Sequence, residues 1–154
     1  MLAIQSSGVS LISVNPTGQI IGGNVYIQLS PVFKAGALTA AANLFGMYPI
    51  HDTDAYGLTT TGSMIVRGFN YVHKTSTTVG ATTIILKRHR SGSDTSLATL
   101  TVPDGTVVFT KLRSTDPADE VQSGDVFWFD VTGVGGTPPS DVSLCLVIVV
   151  GTGN

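Results

Sequence analysis

Nine consecutive residues near the end of the chain, Val142-Ser143-Leu144-Cys145-Leu146-Val147-Ile148-Val149-Val150, are apolar at nearly every position. A half-exposed strand alternates apolar and polar residues because successive side chains point to opposite faces. A run without alternation therefore needs cover on both faces. Strict alternation puts Val142, Leu144, Leu146, Ile148 and Val150 on one continuous apolar face suited to the core between two sheets. Ser143, Cys145, Val147 and Val149 fall on the other. On that second face Val147 and Val149 need a cover, which is either the N-terminal segment or a sister subunit. The run is far shorter than the ~20 residues of a spanning helix. One such segment does not make a membrane barrel.

At 154 residues the chain fits one domain with a proper core. Only 12% of residues are charged, against roughly 25% in an average globular protein, so little surface is strongly solvated. The formal net charge of −2 gives no basis for wholesale phosphate neutralisation or for binding an anionic membrane. Neither nucleic acid nor membrane is expected as a partner. The single cysteine, Cys145, allows no internal disulfide and reads as a small buried hydrophobe. The segment Met1 to Ser7 lacks the basic region and long apolar stretch of a secretory signal, so synthesis in a cytoplasm is expected.

Threonine, serine, valine, isoleucine and glycine dominate, and turn clusters recur at short intervals, an all-β pattern. Strands are expected over 9–14, 19–29 with a bend at Gly22-Gly23, 63–73, 81–89, 96–102, 105–112, 125–132 and 142–150. That is enough for two packed antiparallel sheets, a β-sandwich, with an extended N-terminal segment and at most one short helix. Residues 1–14 read as an N-terminal arm and 15–154 as a single sandwich domain. Turn chemistry appears at 15–18, 91–94, 103–105 and 123–125. Pro103-Asp104-Gly105, between two apolar runs, is the strongest hairpin signal. Residues 35–45 suit either a helix, with Leu38, Ala41 or Ala42 and Phe45 near helical spacing, or a strand of small side chains.

Chemical machinery is sparse. His51, His73 and His89 fall in separate segments, and the His51-Asp52-Thr53-Asp54 cluster reads as a turn-forming loop before it reads as a metal site. No metal and no cofactor is expected. His73 reads as a strand end at the surface. Lys87, Arg88 and Arg90 concentrate basic charge at the end of one strand; alternation sends Lys87 to one face and Arg88 and Arg90 to the other. They are either solvated or in charged contact with an acidic neighbour, which would add specificity more than affinity. Asp130 reads as a strand-end carboxylate bonded to loop amides, and Trp128 as a core anchor before an interface hot spot. No nucleophile elbow, Cys/His pair or paired-carboxylate motif appears. The expectation is a protein that is not an enzyme.

From about Gly62 onward the chain resembles virion proteins of tailed bacteriophages, in particular small β-sandwich head-decoration and fibre-type modules. The resemblance is carried by Arg67-Gly68-Phe69-Asn70-Tyr71-Val72-His73, by Thr83-Ile84-Ile85-Leu86-Lys87, and by Val121-Gln122-Ser123-Gly124-Asp125-Val126-Phe127-Trp128-Phe129-Asp130-Val131, followed by a Gly-rich loop and a Val/Leu strand. It implies a jelly-roll or similar sandwich that acts by binding other shell or fibre subunits and brings no catalytic residues. The expected role is capsid decoration or cement: a homotrimer on the capsid surface that binds the major capsid protein. The alternative is a tail, fibre or baseplate module that binds a host-surface glycan, with Tyr48, Tyr56 and the loop from Asp52 to Asp54 as candidates, or joins fibre subunits. The uncharged, apolar-studded start of the chain supplies the candidate partner interface, Leu2, Ile4, Val9, Leu11 and Ile12, together with Val147 and Val149. Lys87, Arg88 and Arg90 are the candidate charged contacts.

Overall fold

The apolar run becomes the longest strand of an all-β molecule. A computed structural model describes residues 2–6, 9–14, 20–21, 24–28, 31–49, 64–75 and 79–151, with only the backbone described for the strands before residue 31. The strands are β1 (Leu2–Ser6), β2 (Val9–Val14), β3 (Ile20–Ile21), β4 (Asn24–Gln28), β5 (Val32–Ala37), β6 (Met47–Pro49), β7 (Met64–Val72), β8 (Thr82–Arg90), β9 (Ser93–Val102), β10 (Leu112–Arg113), β11 (Asp119–Val121), β12 (Val126–Gly133) and β13 (Ser140–Gly151).

Two antiparallel sheets pack face to face. In the first, β13 pairs with β7 along one side and with β5 and then β4 along the other, and β7 pairs outward with β10 and β11. The second has the order β6-β12-β8-β9. Read from the middle outward, β8 pairs with β9, β7 with β10 and β11, β6 with β12, and β5 with β13. This nesting is a long antiparallel hairpin rolled onto two sheets, the connectivity of a jelly roll. β1, β2 and β3 form a separate three-stranded antiparallel sheet, so the N-terminal segment is a paired hairpin whose sheet extends to Ile21.

Alternation explains which residues meet between the sheets. Val142, Leu144, Leu146 and Ile148 of β13 face Phe127, Phe129 and Val131 of β12 and Ile84 and Leu86 of β8 in one buried cluster. The Phe69 and Phe129 rings meet edge-on at 5.0 Å, linking β7 to β12 across the core, a favoured aromatic geometry. Val66 and Phe69 are both fully buried although three residues apart. The reason is a bulge. Opposite β13 the register passes from Leu146↔Phe69 to Ile148↔Val66, so Arg67 and Gly68 hold one extra residue. Gly68 sits at φ +90°, where a Cβ would collide with Ser114 Oγ and stand 2.6 Å from the Thr115 carbonyl. Ser114 locks the bulge: its Oγ accepts from the Phe69 N–H at 2.9 Å, and its N–H donates to the Phe69 carbonyl at 3.0 Å.

Several expectations change. Residues 35–45 form neither a helix nor one strand: β5 ends at Ala37, and Ala42 to Phe45 make a turn. Gly36 at φ +75° and Asn43 at φ +52° lie outside helical geometry. Ala41 exchanges both backbone hydrogen bonds with Val131 at 2.9 Å. Leu38 and Phe45 still reach the core. The hairpin between β8 and β9 turns at Ser91-Gly92, both at positive φ (50° and 80°), as a two-residue primed turn requires. Pro103-Asp104-Gly105 instead starts the crossing from β9 to β10 in the other sheet. Residues 105–111 are therefore loop, not strand, and β5, β6 and β11 are short strands the sequence did not mark. The Gly-rich loop after β12 is held by close backbone approach. A Cβ on Gly135 would overlap the Val79 carbonyl oxygen and come within 2.5 Å of that of Gly80.

Gly68→Ala is expected to cost about 3 kcal/mol, because backbone strain and collision with Ser114 add. Gly92→Ala, also at positive φ but with open space around it, is expected to cost about 1 kcal/mol. Urea denaturation of both variants measures the difference, and equal losses would contradict the bulge geometry.

Candidate functional site

β13 also organises the outer face of its sheet. Phe33 of β5, Ser143 of β13 and Val72 of β7 lie opposite one another in one row. Phe33 remains 63% exposed. Beside this row the loop 105–111 turns three apolar residues outward, Val107, Val108 and Phe109, with Phe109 66% exposed. The Phe109 N–H donates to the His73 carbonyl at 2.9 Å, and Phe109 is held at φ +60°, an unusual conformation for a bulky residue. Between them lies an open groove of about 380 Å³ lined by Phe33, Val72, His73, Lys74, Phe109 and Asp141. Asp141, at φ +53°, accepts the Gly36 N–H on Oδ1 at 2.9 Å, which ties β5 to the start of β13.

His73 is not at the surface: it is 1% exposed. Its Nε2 lies 3.3 Å from the Thr106 carbonyl, which can only accept, so a ring proton sits on Nε2. Among the described residues the His73 Nδ1 has no partner, and neither does the buried hydroxyl of Tyr71, whose ring centroid lies 5.4 Å from that of His73. Burial pushes the Tyr71 phenol well above its usual range.

The basic strand end is used inside the chain. Arg88 and Arg90 point inward at one end of the sandwich. Arg88 donates to Asp119 at 2.8 Å. Arg90 makes a two-pronged contact with Asp125, Nε to Oδ1 at 2.7 Å and a terminal nitrogen to Oδ2 at 2.6 Å, and also donates to the Glu120 carbonyl. These contacts clasp β8 of one sheet to β11 of the other. Both arginines thus have their acidic neighbours within the chain. Lys87 lies on the opposite face, beside Trp128 in register. Trp128 is half-buried on that outer face, outside the core, and its indole N–H donates to Asp130 Oδ1 at 2.9 Å. The same oxygen accepts the Asn43 N–H, so Asp130 is the amide-bonded carboxylate the sequence suggested.

Val147 and Val149 are 5% and 1% exposed yet lie outside the inter-sheet cluster. The chain itself supplies their cover, and they have almost no surface left for a partner. Leu2, Ile4, Val9, Leu11 and Ile12 lie on β1 and β2, whose side chains are outside the described residues. The same is true of His51, Asp52, Asp54 and Tyr56, and of the Tyr48 side chain. Among the described residues no group of three His, Cys, Asp or Glu side chains is placed to hold a metal ion, and no helix is long and apolar enough to cross a membrane. The groove itself was missed by sequence reading: its residues are spread from 33 to 141. The exposed Val107-Val108-Phe109 run was its one local signal, and it read as a strand.

Fold and surface together define an antiparallel jelly-roll sandwich with an apolar, aromatic groove on one outer face. Comparison with protein-family models, with curated proteins and with solved structures finds no match.

The clasp gives a pH dependence. Burial alone would raise the Asp125 carboxyl, but the Arg90 hydrogen bonds, the Gln122 amide and the nearby guanidinium charges outweigh it and hold the carboxyl below its ordinary value. A carboxyl depressed in the folded state contributes stability that is complete above the unfolded value of about 3.9 and is lost as pH falls through the folded one. Asp125→Asn is therefore expected to cost about 3 kcal/mol at neutral pH, because it leaves Arg90 without its carboxylate. It should also flatten the loss of stability below about pH 4. Thermal melts of both proteins from pH 7 to pH 2 test this, and parallel acid limbs would refute it.

Proposed function

We propose that this chain is a non-enzymatic virion structural protein that decorates and stabilises a phage capsid, at the capsid surface, by binding the lattice of the major capsid protein, and that it does so as a homotrimer. The observation that supports this most is the separate N-terminal sheet. β1, β2 and β3 pair with neither sheet of the sandwich, and they come from a segment free of charge and rich in Leu, Ile and Val, in a chain only 12% charged. Such an appendage is suited to lying on a neighbouring subunit. The mechanism is mass action: a protein that binds only the assembled lattice stabilises it by RT ln(1 + [L]/Kd) at each site, about 2.7 kcal/mol at a hundredfold excess over Kd.

A tail, fibre or baseplate module that binds a host-surface glycan or other fibre subunits is the second reading. The groove between Phe33 and Phe109 favours it, since exposed aromatic rings around a hollow mark binding surfaces.

Removing residues 1–14 is expected to abolish binding to capsids that lack the protein and to lower the native mass to that of the monomer; co-sedimentation and native mass spectrometry read the two effects. Antibody-gold labelling of virions is expected to cover the whole head. Label confined to the tail tip would reject decoration in favour of the second reading.

A further inference from the structure

Capsid docking through the N-terminal sheet leaves the groove on the β5-β13-β7 face without a role. We infer that this groove binds a neutral pyranose sugar through stacking on Phe33 and Phe109. The inference deepens the glycan-binding reading, on which it rests for its biological setting, by giving that reading a site and a sugar class.

A pyranose ring has an apolar C–H face and a rim of hydroxyls that both donate and accept. The groove presents the matching set. Phe33 and Phe109 are 63% and 66% exposed, and the electron-rich face of an aromatic ring attracts the positive edge of C–H groups. Val72 extends the apolar lining. Lys74 brings three N–H donors and Asp141 brings carboxylate acceptors. One cation and one anion on the same groove leave it without net charge, which suits an uncharged ligand over an acidic one.

One further observation points to a ligand. Phe109 is held at φ +60° by the His73 carbonyl, and such backbone strain on a bulky residue collects at ligand clamps. The volume, about 380 Å³, lies at the lower end of the range for small-molecule sites, enough for one terminal sugar and not for a long chain.

Titrating the full chain with methyl α-glucopyranoside, methyl β-galactopyranoside, N-acetylglucosamine and N-acetylneuraminic acid, read by saturation-transfer NMR and calorimetry, tests the site. At least one neutral sugar should bind with a Kd of about 1 mM, as expected for a ligand of this size in an open site. Phe33→Ala and Phe109→Ala should each weaken binding about tenfold with the melting temperature unchanged, since both rings are exposed. Lys74→Ala should also weaken it. No binding of any neutral sugar at about 20 mM, well above the expected Kd, would overturn the inference. So would binding that survives both Phe substitutions, or tighter binding of the acidic sugar. The virion location is read separately. Sugar binding with label over the head keeps the site and removes the tail reading, whereas label at the tail tip without sugar binding keeps the tail reading and removes the site.

Discussion

The molecule depends on β13 being bonded along both edges and packed on both faces. Its N-terminal half pairs with β5, its C-terminal half with β4, and nearly its whole length with β7. Its inner face closes the core against β12 and β8, and its outer face ends in two valines that the chain itself covers. Backbone amides so placed have little water to bond, which is why both edges are paired over most of their length. An apolar strand of this length is stable only in such a position, and left on an edge it would be a template for aggregation.

Two kinds of device accommodate the rest of the roll to that strand. The first kind is steric. At Gly68 and Gly135 the neighbouring backbone or side chain occupies the space of a Cβ, so the bulge in β7 and the loop before β13 close only around glycine. The bulge lets Val66 and Phe69 both face inward, which strict alternation would forbid. The second kind is electrostatic. The open end of the sandwich, where apolar packing stops, is closed by Arg88 and Arg90 reaching from β8 to Asp119 and Asp125. A buried carboxylate such as Asp125 is tolerable only because guanidinium and amide donors fill its lone pairs.

The groove follows from the same arrangement. Phe33 and Val72 share its wall because β5 and β7 flank β13 at Ser143, and Phe109 joins them because the crossing from β9 to β10 passes over the end of β7. The proposed sugar site and the proposed capsid contact thus draw on different parts of the chain: one on the rim of the rolled sheet, the other on a sheet paired outside it.

Much of this was legible in the residues. The strands of 9–14, 64–72, 82–90 and 126–133 are rich in β-branched and aromatic residues and bounded by turn residues, and a central β13 follows from its unbroken apolar run. Short strands of two or three residues, such as Leu112–Arg113 and Asp119–Val121, carry too few positions for any period to show. Pro103-Asp104-Gly105 misled because turn chemistry fixes a local bend and is blind to which sheet the chain enters next. Arg88 and Arg90 were placed on the correct face, but their partners lie about thirty residues away. The sequence by itself determined the class, the central strand and its two faces, because alternation is a property of one strand alone. Tertiary structure decided the roll, the buried state of His73, the clasp and the groove, because each is a meeting of segments distant in the chain, and local chemistry does not encode which segments meet.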